Sequence, residues 1–381
     1  MNYNVIINFI RSLYKNQEFV PLHAPIFIGN EKKYLNNCID STYVSYVGNY
    51  VVEFEKYISE YTQSKFSIAL VNGTAALHIA LKLVGVKNND EVLTQSLTFV
   101  ATTNAISYLG AKPTFIDSDL STLGMSAESL FDFLDKYCIV KTDGFCYNKE
   151  TGKKISACVP VHVFGHPVEI DKIVDICNKF NIPVVEDAAE SLGSKFKNIH
   201  TGKFGKLGIL SFNGNKIVTT GGGGMIITDD EDIAKRAKYI TTTAKVPHKW
   251  EFFHDEIGYN YRMPNLNAAI GLAQMEKIDV FIKNKRELAL IYNKFFDNIG
   301  IDFFIEKDNC FSNYWLNTIL LKNRVERDKF LLETNNAGIM TRPAWTLMNK
   351  LPIYSDCFSA NLNNAKYLED RIVNIPSSIR I

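Results

Sequence analysis

One lysine of this 381-residue chain stands in an unusual setting, the segment SFNGNKIVTTGGGG at residues 211–224. Lys216 comes five residues after Ser211, and two threonines and four consecutive glycines follow shortly after it. An amine that is desolvated, or that lies near positive charge, can lose its proton and act as a nucleophile or bind a carbonyl compound covalently. A surface lysine in a glycine loop would show the same local pattern, so this segment alone leaves both interpretations open.

A carboxylate, Asp187, ends the apolar run IPVVED at residues 182–187. A side chain at that position would be buried or nearly so, and a buried carboxylate needs a partner. One suitable partner is a protonated pyridine nitrogen, whose charge makes the ring an electron sink. A helix N-cap or an internal salt bridge is the alternative, and the neighbouring Glu186 and Glu190 could be solvated or hydrogen-bonded.

A third feature is Asn72-Gly73-Thr74, which stands between an apolar run and the helical pattern TAALHIALKLVG at residues 74–85. Glycine lets a ligand approach the backbone closely, and the free N–H groups at a helix N-terminus attract phosphate. Thr74 could also be an ordinary N-cap of that helix. Taken alone, the segment does not distinguish the two roles.

The order of these features along the chain is more informative than any one of them. A phosphate-binding segment comes first, then the aromatic Phe99, then Asp187, and Lys216 follows Asp187 after 216 − 187 = 29 residues. Pyridoxal phosphate needs four contacts, at its phosphate, its ring face, its ring nitrogen and its aldehyde carbon. The sequence supplies one candidate residue for each contact.

The elements that must position these residues alternate between strand and helix. Six apolar runs read as strands covered on both faces, which is typical of a parallel sheet. They are SIALV (67–71), EVLTQ (91–95), PTFID (113–117), SACVPVHVF (156–164), IPVVED (182–187) and LGILSF (207–212). Helical stretches between them predict an open α/β domain, and ligands bind such a sheet at the carboxyl ends of its strands. The candidate residues follow those ends.

The composition and the pattern of predicted elements change after about residue 245. Residues 241–263 are aromatic and irregular, residues 265–296 read as one or two helices, and short strands and helices follow. We therefore predict a large cofactor-binding domain at residues 1–250, including an N-terminal helical segment, and a smaller α/β domain at residues 251–381.

Composition excludes several classes of protein. Lysine and arginine number 42 against 41 aspartates and glutamates, and the net charge of +1 does not favour binding to nucleic acid or to an anionic membrane. The seven cysteines are scattered, and none forms a C-x-x-C motif, which predicts a reduced, cytoplasmic chain. The start of the chain lacks the pattern of a signal peptide, and no window of about 18 apolar residues predicts a membrane span.

One spacing could suggest a metal site. Cys158, His162 and His166 form a C-x3-H-x3-H pattern. The run reads as a strand that enters a glycine turn, so the three side chains would not share one face. We predict a packing or substrate-lining role for these residues and no metal.

Longer motifs carry a resemblance that covers nearly the whole chain. They are STYVSYVGNYVVEFE (41–55), VNGTAALHIAL (71–81), TFVATTNAI (98–106), PVHVFGHP (160–167), VVEDAAESLGS (184–194), the Lys216 segment and GYNYRM (258–263). The chain resembles the DegT/DnrJ/EryC1/StrS sugar aminotransferases, which have the type I fold of pyridoxal-phosphate enzymes. That fold implies a mostly parallel seven-stranded sheet between helices. INFIRSLY and TRPAW (341–345) look like the branch in legionaminic-acid-type pathways.

The resemblance also implies roles for single residues. Lys216 matches the Schiff-base lysine, Asp187 the partner of the ring nitrogen, and Phe99 the aromatic stacked on the ring. Three residues match the phosphate contacts, and they are Gly73, Thr74 and Ser211. Asn260 matches an asparagine that reaches the phosphate from the neighbouring subunit of a homodimer. The expected substrate contacts are His162, Tyr314, Arg342 and Trp345.

Two positions depart from the family pattern. Glu190, near the 3-hydroxyl of the ring, replaces a glutamine of many members, so its hydrogen-bonding role is an open question. A histidine common among relatives near Asn349 is absent, which leaves the sugar-side contacts open.

The implied activity is transamination at C4 of a nucleotide-linked 4-keto-6-deoxy sugar for bacterial surface-glycan synthesis. The expected substrate is UDP-2-acetamido-2,6-dideoxy-hexos-4-ulose, with L-glutamate as donor, 2-oxoglutarate as product and pyridoxamine phosphate during turnover. Alternatives are a 3-keto sugar aminotransferase, a sugar 3-dehydratase of the same fold, and a regulator that binds the cofactor without catalysis. Dehydratases of this kind have histidine where this chain has Lys216.

Overall fold

The computed structural model describes residues 3–15 and 17–380. This part of the chain contains twelve α-helices. They are α1 (Asn4–Leu13), α2 (Glu31–Asp40), α3 (Asn49–Thr62), α4 (Gly73–Leu83), α5 (Val100–Tyr108), α6 (Ala127–Tyr137), α7 (Ile170–Lys179), α8 (Glu231–Thr241), α9 (Asn265–Met275), α10 (Ile278–Asn298), α11 (Arg324–Asn336) and α12 (Asn363–Glu369).

The same residues form sixteen strands. They are β1 (Phe66–Leu70), β2 (Glu91–Gln95), β3 (Lys112–Ile116), β4 (Cys138–Val140), β5 (Cys146–Asn148), β6 (Lys154–Val159), β7 (Val185–Asp187), β8 (Lys195–Phe196), β9 (Ile199–His200), β10 (Leu207–Ser211), β11 (Gly224–Thr228), β12 (Asp302–Phe303), β13 (Cys310–Phe311), β14 (Asn317–Leu320), β15 (Arg342–Pro343) and β16 (Ile372–Ile375).

Seven of these strands form the central sheet, in the order β1-β11-β10-β7-β6-β2-β3. The strands form two hydrogen-bonded groups, β1-β11-β10-β7 and β6-β2-β3, and the parallel bridge pairs Cys158–Val184 and Val161–Asp187 join them between β6 and β7. β11 runs antiparallel to both of its neighbours, whereas the pairs β10–β7, β2–β6 and β2–β3 are parallel. The predicted mostly parallel seven-stranded sheet is confirmed.

Apolar residues on both faces of this sheet explain why its strands read as continuous apolar runs. On β1, Ile68 and Leu70 pack against α4 and α8, whereas Ala69 between them packs on the opposite side with α3 and α9. Ile209 and Leu210 of β10 divide between the two faces in the same way. Successive side chains of a strand point to opposite faces, so a sheet covered by two helical layers requires apolar residues at consecutive positions.

The C-terminal unit is built on the antiparallel sheet β12-β14-β16-β15. The first helix packs against this unit, because Ile6 and Ile10 of α1 share a core cluster with Tyr292 of α10 and Phe330 of α11. The helix was predicted as part of the large domain, whereas its core contacts are with the C-terminal unit. Conversely, α9 lies beyond residue 250 but packs on the central sheet. The boundary at residue 250 therefore stays a prediction.

Within residues 3–15 and 17–380, no helix is both long enough and apolar enough to cross a membrane.

Candidate active site

A cavity of about 320 Å³ opens where four strands of the central sheet end. Seven of the eight residues predicted to hold a cofactor line it together. They are Gly73, Thr74, Phe99, Asp187, Glu190, Ser211 and Lys216. Their elements explain the convergence, since β1, β2, β7 and β10 end at these residues or shortly before them, and the carboxyl ends of parallel strands meet at one edge of the sheet.

Lys216 points into this cavity and is not a solvated surface lysine. Its side chain is 13% exposed, and its Nζ lies 3.3 Å from Glu190 Oε1. The same Nζ lies 3.8 Å from the centroid of the Trp315 ring. A turn positions the lysine after β10, with Lys216 N donating to Asn213 O at 2.9 Å. The amine is therefore held inside the cavity by a carboxylate and an aromatic face.

Asp187 is buried at the end of β7, where two hydrogen bonds fix its carboxylate. Thr102 Oγ1 donates to Oδ2 at 2.8 Å, and Ala189 N donates to Oδ1 at 3.2 Å. Burial raises the pKa of Asp187, while these hydrogen bonds and the charge of Lys216 act in the opposite direction. A protonated ring nitrogen beside it would give the carboxylate the charged partner that a buried anion needs.

Glu190 is the second buried carboxyl group of the cavity. Its Oε2 accepts a hydrogen bond from Phe164 N at 2.8 Å, and its Oε1 faces Lys216. Burial raises the pKa of Glu190, and the nearby charge of Lys216 opposes that shift. Glu190 can thus hold an amine or a hydroxyl by hydrogen bonding.

The N-terminus of α4 forms the phosphate side of the cavity. Asn72 caps this helix, since its Oδ1 accepts a hydrogen bond from Ala75 N at 2.7 Å. The capping role considered for Thr74 is therefore wrong, and Thr74 is free to face the cavity. A Cβ on Gly73 would lie 3.0 Å from Ser211 Cβ, so a larger residue would narrow the space between them. Free N–H groups at a helix N-terminus suit a phosphate.

Pyridoxal phosphate fits the residues present. The α4 N-terminus and Ser211 suit its phosphate, and Asp187 suits its ring nitrogen. Phe99 is 51% exposed at the cavity, which leaves its ring free to lie against a flat ligand. Lys216 supplies the amine. No group of three or more potential metal-ligating side chains occurs among the residues that the structure describes.

His162 lies outside the cavity, contrary to the expected substrate contact. The ring is fully buried, with Nε2 3.0 Å from Glu186 Oε2, and its Nδ1 accepts from Val168 N at 3.2 Å. Glu186 also accepts hydrogen bonds from the backbone N–H groups of Gly202, Phe204 and Gly205. His162 belongs to this buried network, which ties the loop after β9 to β7.

Two other expected substrate contacts also lie away from the cavity. Tyr314 is buried, and its hydroxyl accepts a hydrogen bond from Glu306 N at 3.1 Å. Arg342 is exposed and donates to Asn335 Oδ1 at 2.9 Å. Trp345 does line the cavity, where its ring centroid lies 6.2 Å from that of Phe99.

Asn260 is exposed and lies outside the cavity of its own chain, in an antiparallel bridge with Thr242.

Two residues that contact the predicted catalytic side chains were not predicted from the sequence. Thr102, which holds Asp187, stands three residues after Phe99 on α5, and the helical spacing could have indicated it. Trp315 comes from the C-terminal unit, and no local pattern indicates that its ring meets Lys216.

Comparison with known proteins agrees with this geometry. The family model for the DegT/DnrJ/EryC1/StrS aminotransferase family matches residues 26–381. A GDP-perosamine synthase of Escherichia coli O157:H7 is 37% identical over 94% of this chain and 93% of its own. A putative pyridoxal phosphate-dependent aminotransferase of Bacillus subtilis, EpsN, is 36% identical over 87% and 83%.

A solved structure shows the same fold. The aminotransferase TlmJ of Streptoalloteichus hindustanus superposes with a TM-score of 0.85 over 94% of this chain and 93% of its own, at 23% identity. The family match covers the cavity and both sheets described above. The chain therefore belongs to the DegT/DnrJ/EryC1/StrS aminotransferase family and is a pyridoxal-phosphate-dependent aminotransferase.

Proposed function

We propose that the enzyme transfers the amino group of L-glutamate to C4 of a nucleotide-linked 4-keto-6-deoxy sugar. The substrate proposed is UDP-2-acetamido-2,6-dideoxy-hexos-4-ulose, on the resemblance of INFIRSLY and TRPAW to the legionaminic-acid branch. The observation that carries the proposal of transamination is the Lys216 amine, held in one cavity with Asp187 and the open N-terminus of α4.

The residues divide the chemistry between them. Pyridoxal phosphate, when bound, supplies an electron sink for the carbon that loses its proton. Lys216 Nζ takes that proton from the α-carbon of the donor and later returns one, which is general acid–base catalysis. Asp187 holds the proton at the ring nitrogen. The α4 N-terminus and Ser211 bind the phosphate and fix the orientation of the ring.

A second substrate class has support from the relatives. Three of them are named GDP-perosamine synthases, at 37%, 33% and 32% identity, and each alignment spans 94% of this chain. A GDP-linked 4-keto-6-deoxy sugar is therefore the alternative substrate. The two candidates share the reaction at C4 and differ in the nucleotide and in the group at C2.

The first prediction concerns the substrate. We expect the enzyme, incubated with glutamate and a panel of UDP-, GDP- and dTDP-linked 4-keto sugars, to aminate the UDP-acetamido sugar fastest. Mass spectrometry and NMR identify the product and the carbon that carries the amine. Amination of the GDP sugar alone would favour the second candidate, and amination of a 3-keto sugar would overturn the assignment to C4. An absorbance band that does not respond to glutamate would contradict glutamate as the amino donor.

We also propose that the active unit is a homodimer with shared sites. Asn260 is exposed outside its own cavity, and by family resemblance it reaches the phosphate of the partner. The segment before it presents exposed apolar side chains, which are Trp250, Phe252, Phe253 and Ile257. Several large apolar side chains exposed in one segment are typical of an interaction site, and a two-fold interface gives each subunit the same contact.

The second prediction tests this sharing by subunit exchange. Lys216→Ala and Asn260→Ala homodimers should each have little activity, and mixing them should restore activity toward a quarter of the wild-type level. Half of the dimers are then mixed, and half of the sites in a mixed dimer carry neither defect. Activity is measured after exchange, which a tag on one variant confirms. If Asn260 acts within its own subunit, every mixed site keeps one defect and activity stays at the average of the parents.

A further inference from the structure

We propose that Trp315 is a further catalytic residue, whose indole face stabilises the protonated amine of Lys216 after that amine has taken the proton from the amino donor. The identity of the donor rests on the proposed function. In this step the C–H bond of the donor breaks, its electron pair stays with the carbon, and an N–H bond forms at Lys216 Nζ. The charge that appears on Nζ lies directly over the indole.

The distances place the amine between two groups. Nζ lies 3.8 Å from the Trp315 ring centroid and 3.3 Å from Glu190 Oε1. Trp315 is only 4% exposed, so little water reaches its face. A cation within about 6 Å of an indole centroid is attracted by the ring quadrupole, and the attraction grows when the pair is desolvated. An amine in this position gains stabilisation only when it is charged.

Hydrogen bonds fix the indole at this distance. Trp315 Nε1 donates to Asn215 O at 2.6 Å, which ties the ring to the residue before Lys216. Trp315 N donates to Asn313 Oδ1 at 2.7 Å. Asn313 Nδ2 in turn donates to the backbone carbonyls of Glu190 at 3.0 Å and Leu192 at 2.9 Å. The segments that carry the lysine, the carboxylate and the indole are thus held as one unit.

A close contact at Gly165 shows how tightly this unit is built. Gly165 has φ +98°, a conformation that favours glycine, and a Cβ there would lie 2.0 Å from Asn313 Oδ1. The residue that anchors Trp315 therefore packs directly against backbone. Such preorganisation lets the ring act on the amine without rearrangement during the reaction.

The neighbouring ionisable groups stabilise the charged amine of Lys216 only in part. Burial raises the pKa of Glu190, which disfavours the negative charge that faces the amine. Burial also raises the pKa of Asp187, whose carboxylate has the cofactor nitrogen as its partner. Burial lowers the pKa of the nearby His23 well below its ordinary value, so this imidazole is neutral. The attraction of the aromatic face depends on the charge of Lys216 alone.

The third prediction tests the indole in the cofactor-free protein. Trp315→Leu removes the face, whereas Trp315→Phe keeps a smaller and weaker aromatic face and loses the hydrogen bond to Asn215. Trinitrobenzenesulfonate labels neutral amines, and peptide mapping measures the label on Lys216 across pH. We expect the labelling profile of the leucine variant to move to lower pH, with labelling near neutral pH about tenfold faster, which is about 1.4 kcal/mol. The phenylalanine variant should fall between it and wild type.

Trp345→Leu is the matched control. Trp345 lines the same cavity, but its ring packs on Phe164 and Phe99, so its removal opens the site without removing the face over Lys216. We expect the pH profile of Lys216 labelling to stay in place in this variant. A Trp315→Leu profile that keeps the wild-type pH dependence and only rises uniformly would show a change of access, and it would overturn the proposal.

A second measurement follows the proton itself. With glutamate deuterated at the α-carbon, the isotope effect on the absorbance change should be larger in Trp315→Leu than in wild type, because proton transfer to Lys216 becomes slower. An unchanged isotope effect would count against the catalytic role. A wild-type enzyme that fails to respond to glutamate would contradict the proposed donor, and the labelling profiles would still decide the role of Trp315.

Discussion

Replacing Lys216 with alanine should abolish transamination and leave the fold in place. The side chain is the amine that lies in the cavity between Glu190 and Trp315, and its truncation removes both the covalent anchor and the proton carrier. When several groups act as one catalytic unit, removing one of them typically lowers the rate by several orders of magnitude. The loss of transamination rate is measured as product formation with glutamate as the amino donor. Borohydride reduction of the loaded wild type, followed by peptide mapping, should find the cofactor on Lys216.

Two further variants test whether a neutral amine at position 216 is what the reaction requires. Lys216→Arg keeps a cation beside Glu190, but a guanidinium stays protonated and cannot take a proton, so this variant should be as inactive as alanine. Lys206→Ala removes an exposed lysine just before β10 and should retain wild-type activity. Label on a lysine other than Lys216 would refute the assignment.

Asp187→Asn should lower the rate by several orders of magnitude. Asparagine preserves the shape of the side chain but removes the negative charge that holds the proton at the ring nitrogen. Removal of one preorganised electrostatic group typically costs about 3–4 kcal/mol. Turnover at saturating donor and sugar measures the effect. A variant with a tenth of the wild-type rate would mean that another group serves the ring nitrogen.

Thr102→Val is the matched control for this carboxylate. It removes the 2.8 Å hydrogen bond to Asp187 and leaves the negative charge. A hydrogen bond to a charged group contributes about 1.5–3 kcal/mol, so the loss should be smaller than that in Asp187→Asn. Equal losses in both variants would indicate that orientation, and not charge, is what Asp187 contributes.

The cofactor side of the site was predictable because the strands alone bring it together. Gly73, Asp187, Ser211 and Lys216 all follow or end strands of the central sheet, and once that sheet is mostly parallel their convergence is a consequence of topology. Their spacing in the sequence therefore carried most of the spatial information. Phe99, after β2, follows the same rule.

The substrate side was not predictable in the same way. Tyr314 and Arg342 belong to the C-terminal unit, and their positions depend on how that unit packs against the central sheet. His162 follows a central strand, but its ring is buried against Glu186 and does not line the cavity. A buried carboxylate and its partner are recognisable only when the tertiary contacts are known.

The placement of α1 shows a related limit. Its apolar face, with Ile6 and Ile10, indicates that the helix is buried against something but not against what. Tertiary contacts between distant parts of the chain decide this, and the partners are α10 and α11.

This placement has a consequence for synthesis on the ribosome. Tyr14, directly after α1, donates from its hydroxyl to the carbonyl of Ser378, a partner 364 residues further along the chain. The central strand β16 of the C-terminal sheet is also made late. The apolar face of α1 is therefore synthesised before its partners, because the whole central sheet lies between them in the sequence. Completion of the C-terminal unit requires contacts between segments far apart in the sequence, and such contacts form slowly compared with local ones.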